Sequence, residues 1–134
     1  MLVQPYLSFE GRCEEAIEFY KKALGAEVQM LMRFKDCPEP EKCSPGSADK
    51  IMHASLRIGD SVVMATDGRC QGPAKFEGIS LTASVSNDSQ AERVFAALSA
   101  GGEVCMPLAK TFFSSRFGMT KDGFGVHWMV IVQP

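Results

Sequence analysis

The fold turns on two stretches, Ala23-Leu-Gly-Ala-Glu-Val28 and Ala97-Leu-Ser-Ala-Gly-Gly-Glu-Val104. Each ends a helical pattern in glycine and resumes as an apolar strand. Their separation of about 75 residues is the period of an internal duplication. Upstream of the first, Cys13, Ala16, Ile17, Tyr20 and Leu24 recur at helical spacing, opposed by Glu14, Glu15, Lys21 and Lys22. Gly25 stands where a left-handed cap stops a helix. Upstream of the second, Ala91, Val94, Phe95 and Leu98 form a similar stripe, and Ser89 with Glu92 reads as its capping box.

Strands fill the rest. Residues 2–9 mix β-formers around Pro5, which suits an edge or a strand start. Further strands are predicted over 26–34, 51–58, 61–66, 79–85, 103–108, 111–119 and 126–132, the last two separated by the turn Lys121-Asp-Gly-Phe-Gly125. Gly59-Asp60 suits a two-residue hairpin, which sets Ile58 opposite Ser61, Ser55 opposite Met64 and His53 opposite Thr66. Residues 36–50, with three prolines, form a loop long enough to be a lid or poorly ordered. Each half reads strand–helix–strand–strand–strand. The expectation is one α+β domain over 1–134, with module 1 at about 1–67, a linker at 68–77 and module 2 at about 78–134.

Composition excludes several classes. Apolar residues make up 46% of 134 and charged residues 22%, ordinary for a soluble domain with a core. A net charge of −2 gives no basic footprint for nucleic acid. No apolar run is long enough for a membrane span, and the N-terminus lacks a signal-peptide pattern. A cytoplasmic location is expected, with the five cysteines reduced. Cys13 and Cys105 fall on apolar faces and read as small core residues.

A doubled βαβββ unit is the architecture of the vicinal oxygen chelate (glyoxalase/bleomycin resistance/dioxygenase) superfamily. Ala16-Ile-Glu-Phe-Tyr-Lys-Lys-Ala-Leu-Gly-Ala26 resembles its first-helix signature, and Thr120-Lys-Asp-Gly-Phe-Gly-Val126 resembles the turn before its last strand. Pro5-Tyr-Leu-Ser-Phe9, His53-Ala-Ser-Leu-Arg57 and Phe124-Gly-Val-His-Trp-Met129 resemble the PhnB-like branch. The resemblance spans the chain. It implies a curved eight-stranded cup for a small molecule and, as is common in the superfamily, a homodimer. Relatives of this branch are sometimes called demethylubiquinone methyltransferases, but no Gly-rich nucleotide turn links a strand to a helix here.

The resemblance also implies four inward metal positions on the first and last strands of each half. The signatures place these at Pro5, Met64, Ser80 and Met129, none of them His, Glu or Asp. The usual chelate is therefore expected to be absent, and no cofactor is predicted. Cys37, Cys43 and His53 lack the tight spacing and the fourth ligand of a structural zinc site. His53 and Ser55 should share the cup face with Met64, whereas His127 is expected on the helix side of the last strand, unless its register is shifted by one.

The cup face is expected to include Leu7, Phe9, Val62, Thr66, Thr82 and Ser84, closed by Phe112, Phe113 and Arg116. Arg116 suits a carboxylate or phosphonate, or else an ion pair on the surface. Met30, Met32, Met52, Met64, Met106 and Met129 read either as core or as an adaptable pocket. Two functions fit. One is a metal-independent lyase- or isomerase-type enzyme with His53 as general acid/base. The bound molecule would contact Leu7, Phe9, Ser55, Met64, Thr66, Ser80, Thr82, Phe113, Arg116 and Met129. The other is a non-catalytic protein that sequesters a drug or metabolite, as the resistance members of the superfamily do.

Overall fold

The computed structural model describes residues 1–37, 48–68 and 72–133. Two units divide at Ala74/Lys75. The first holds β1 (Tyr6–Ser8), α1 (Cys13–Leu24), β2 (Glu27–Arg33), β3 (Ile51–Ile58) and β4 (Ser61–Thr66), with a 3-10 turn at Phe34–Asp36. The second holds β5 (Leu81–Val85), α2 (Asp88–Ser99), β6 (Glu103–Ala109), β7 (Phe117–Lys121) and β8 (His127–Val132). The sheet orders are β1-β4-β3-β2 and β5-β8-β7-β6. In each, the first strand runs parallel to the last and the other pairs are antiparallel. The repeat in the sequence is thus a repeat of topology, in an α+β fold. No helix among the described residues is long and apolar enough to cross a membrane.

In the first unit α1 buries Cys13, Ala16, Ile17 and Tyr20. The sheet face beneath it carries Leu7, Phe9, Ala54, Leu56, Val63 and Ala65, all buried. Gly25, at φ +69°, ends the helix, and its N–H donates to the Lys21 carbonyl. At the other end Arg12 supplies no side-chain cap. The buried Asp67 does so from 54 residues away: Oδ1 accepts from Cys13 N at 2.7 Å, and Oδ2 accepts from Ile51 N at 2.6 Å. One carboxylate thereby ties the start of α1 to the start of β3.

In the second unit Ala91, Val94, Phe95 and Leu98 of α2 are buried, as their spacing predicts. They cover the face that carries Trp128, Val130, Val132, Gly118 and Thr120. The N-cap differs from expectation. Asn87 takes that place, its side chain accepting from Gln90 N at 2.9 Å, while Gln90 Oε1 accepts from Ser86 N. The box is built from an Asn and a Gln two residues before the Ser89–Glu92 pair.

Three strand assignments also change. β1 spans only Tyr6–Ser8, and Met1, Leu2 and Val3 before it are exposed. β7 begins at Phe117, because Thr111 and Ser114 fold the preceding residues into a tight loop. Phe113 N and Ser114 N donate to Thr111 Oγ1, and Ser114 Oγ donates to the Arg116 and Val132 carbonyls. Cys105 is exposed on β6 rather than in the core. The extra residue of a bulge between Val104 and Met106 falls there, so simple alternation misplaces it. Residues 38–47, at the heart of the 36–50 loop, and Cys43 lie outside the described residues.

Cys13, by contrast, is fully buried. Burial, with help from the Asp67 and Glu14 charges, pushes its thiol up to about 12 from 9.0. The folded state therefore holds this proton more tightly than the unfolded chain does. That contribution is complete below about pH 9 and is lost as pH rises toward about 12. Urea midpoints are accordingly expected to fall between about pH 9 and pH 11. In the native protein Ellman's reagent is expected to label Cys105 and to reach Cys13 only after denaturant is added. Labelling of Cys13 without denaturant would contradict the burial argument.

Candidate functional site

Each sheet has one face under its helix and an outer face opposite. In the first unit cross-strand register sets Tyr6 level with Met64, Met64 with Ser55, and Ser55 with Met30. His53 lies level with Met32 on this same outer face, and Ser8 with Thr66. Ser55, Met64, Thr66 and Val62 are half-buried where the hairpin register predicts them. Leu7 and Phe9 are not part of this face. They are 6% and 2% exposed, and the Phe9 ring packs 6.2 Å from that of Tyr20 on α1. Reading the first strand from Pro5 inverted its parity, since the ladder aligns Tyr6 with Met64.

The inversion conceals the main feature of the face. Tyr6 Oη lies 2.9 Å from His53 Nδ1, and the rings meet edge to face with centroids 5.4 Å apart. Burial raises the Tyr6 phenol above its ordinary 10.0, while a hydrogen bond with Thr66 acts the other way. The phenol is therefore protonated at neutral pH. Thr66 Oγ1 donates its one proton to the Met52 carbonyl at 2.7 Å and accepts from Gly68 N at 3.1 Å. In the Tyr6–His53 contact either group can donate, according to the tautomer of the imidazole.

Ser8 extends the polar edge, its hydroxyl donating to Glu10 Oε1 at 2.9 Å. Glu10 itself adopts φ +46°, a conformation that costs a non-glycine residue energy. Gly68 permits this packing: a Cβ there would lie 2.3 Å from Ser8 Oγ. Sequence reasoning missed Tyr6, Ser8 and Glu10. Their i, i+2 spacing was the available signal, and the parity error hid it.

In the second unit Thr82 is level with Met129, Met129 with Met119, and Met119 with Met106. Ser84, Ile131 and Phe117 form the next row. Ser80 lies just before β5 and is half-buried. His127 belongs to this outer face, two residues from Met129, and the buried Trp128 takes the helix side. The expectation that His127 packs under the helix is thereby reversed. Phe113 stacks edge to face on Phe117 with centroids 5.1 Å apart, beside a fully exposed Phe112. Arg116 instead pairs with Asp88 at 3.6 Å and Glu92 at 3.5 Å. Its guanidinium serves the first turn of α2 and does not point to an anionic ligand.

Neither the positions predicted from sequence (Pro5, Met64, Ser80, Met129) nor those level in the ladders (Tyr6, Met64, Thr82, Met129) carry a carboxylate or imidazole. Such donors do not fit the divalent metal of the superfamily. Among the described residues no group of three His, Cys, Asp or Glu is placed to hold a metal ion. Cys43, one of the three residues whose spacing argues against a zinc site, lies outside those residues.

Comparison with known proteins follows the same lines. A family model described as 3-demethylubiquinone-9 3-methyltransferase matches residues 2–131. Protein YjdN of Escherichia coli is 35% identical over 98% of this chain and 95% of its own length. Protein PA1353 of Pseudomonas aeruginosa is 40% identical, with a TM-score of 0.88 over 99% of this chain and 98% of its own. A PhnB protein from Bacillus cereus is 25% identical, with a TM-score of 0.82 over 98% and 99%. The fold alone is shared with a glyoxalase-related enzyme from Fulvimarina pelagi, at 15% identity and a TM-score of 0.66 over 100% and 88%. It is shared likewise with the fosfomycin resistance protein FosX of Listeria monocytogenes, at 12% and 0.65 over 100% and 93%. β1 reaches α1 through residues 9–12 and β5 reaches α2 through residues 86–87, neither connection a Gly-rich nucleotide turn. The duplicated βαβββ topology and these matches together place the chain in the PhnB-like 3-demethylubiquinone-9 3-methyltransferase family, with the fold of glyoxalase-related proteins.

Proposed function

We propose that the chain binds a small organic molecule on the outer face of its first sheet, and that His53 acts there as a metal-independent general base. The observation behind this reading is the contact of His53 Nδ1 with Tyr6 Oη at 2.9 Å, beside the half-buried Thr66. It orients the imidazole, and in the proposed tautomer Nδ1–H donates to the phenol oxygen, leaving Nε2 as the atom that takes a proton. The natural chemistry is removal of a proton next to a carbonyl, the first step of a lyase or isomerase. Met64, Ser55 and Met30 would support the substrate on the same face. A cytoplasmic location accords with reduced thiols.

Long-range 1H–15N spectra of 15N-histidine-labelled protein test the polarity directly. His53 is expected as the Nδ1–H tautomer, and Tyr6→Phe is expected to return it toward Nε2–H. An Nε2–H signal in the unaltered chain would remove the base role. For chemistry, small carbonyl compounds are incubated with the protein in D2O. The expected result is exchange of the α-proton that His53→Gln abolishes.

A second reading is sequestration without catalysis, favoured by the methionines on the outer faces, which adapt to varied apolar ligands. A compound that binds and returns with its α-proton unexchanged would support it. The chain is also proposed to form a homodimer through β2. That edge strand is exposed along Glu27–Leu31, including Val28, Met30 and Leu31, and such an edge calls for cover. Light scattering is expected to give about twice the 14.6 kDa of one chain. A mass of one chain at micromolar concentration would refute this.

A further inference from the structure

Three methionines are brought to one level of the outer face in the second sheet, beside Cys105, whose thiol lies 3.8 Å from the Glu103 carbonyl. Met106 on β6 pairs with Met119 on β7, and Met119 pairs with Met129 on β8. Directly opposed residues hold their Cβ atoms about 4.5–5.5 Å apart on a shared face. Three flexible thioethers in a row can therefore converge above the central strand. None of the three is in the core; Met106 is 47% exposed. β6 is irregular on both sides of Met106, with register shifts between Val104 and Met106 and between Met106 and Ala109. Bulges of this kind re-aim side chains. The first inserts Cys105, so that Cys105 and Met106 together oppose Met119, and Cys105 is a free, exposed thiol. A row of core methionines would need neither the exposure nor the bulge.

We propose that Cys105, Met106, Met119 and Met129 form a binding site for a soft monovalent cation, Cu(I) or Ag(I). Thioethers and a thiol are the donors such ions prefer, and divalent Mg or Mn ions reject them. The site is independent of the His53 face, since Cys105, Met106 and Met119 take no part there.

The test is an anaerobic titration of Ag(I) into protein carrying 13C-labelled methionine methyl groups. Cys37, Cys43 and Cys70 are replaced by serine to remove competing thiols. Methyl resonances of Met106, Met119 and Met129 are expected to move together and saturate at one equivalent, while those of Met30, Met32 and Met64 stay in place. Met119→Leu, close in shape, is expected to weaken binding by at least the about tenfold that loss of even a supporting contact costs a metal site. Three outcomes would overturn the proposal. These are no binding, silver held with the three methyl signals unmoved, and shifts spread equally over all methionines. The same titration of the chain with all cysteines intact must show the three-methyl pattern as well, which guards against misfolding of the serine variant.

Discussion

Replacing Asp122 with alanine is expected to lower the unfolding free energy by about 4 kcal/mol, read as a shift of the urea midpoint at constant slope. The residue is 2% exposed, and its carboxylate accepts from two backbone N–H groups and an indole among its contacts. Oδ1 takes Phe124 N at 2.9 Å and Val126 N at 3.1 Å, and Oδ2 takes Trp128 Nε1 at 2.9 Å. Alanine leaves these donors buried without an acceptor, each at about 1–3 kcal/mol. Asn offers one acceptor oxygen and a donor where the second oxygen stood. Asp122→Asn should therefore keep the turn but lose the Trp128 bond, at about half the cost. Equal losses for Ala and Asn would show that the turn, and with it the start of β8, does not depend on these two backbone bonds.

Asp67→Ala is expected to cost about 3 kcal/mol, since Cys13 N and Ile51 N both lose a charged acceptor in the core. Against a typical total of about 5–15 kcal/mol, that is a large share. Here Asn should rescue little: its amide must turn a donor toward one of the two N–H groups. The site should respond too. Ile51 begins the strand that carries His53, and Thr66 precedes Asp67. The His53 tautomer is thus expected to become mixed in Asp67→Ala, at temperatures where the fold persists. An unmixed tautomer would mean that Tyr6 holds the imidazole without this anchor.

Both carboxylates show how far a sequence can be read. Asp122 sits in a turn recognisable from its glycines, yet its bond to the Trp128 indole needs the folded hairpin. Asp67 begins what reads as an ordinary loop, and nothing local links it to Cys13. Arg116 follows the same pattern. Its chemistry suits an anion, but only the packing of α2 shows that Asp88 and Glu92 already supply one.

The sequence by itself determined the element order, the duplication, both buried helix stripes and the register of the Ile51–Thr66 hairpin. These follow from periodicities of 3.6 and 2 and from a Gly-first turn, which act within a few residues. Tertiary structure alone decided which face β1 presents, where Cys105 points and what partners His53. Strand side chains alternate at every residue, so a one-residue change in where a ladder begins, or one bulge, exchanges inside for outside. Tyr6 and His53 stand 47 residues apart in the chain and 2.9 Å apart in the fold. Only the parallel pairing of β1 with β4 brings them together.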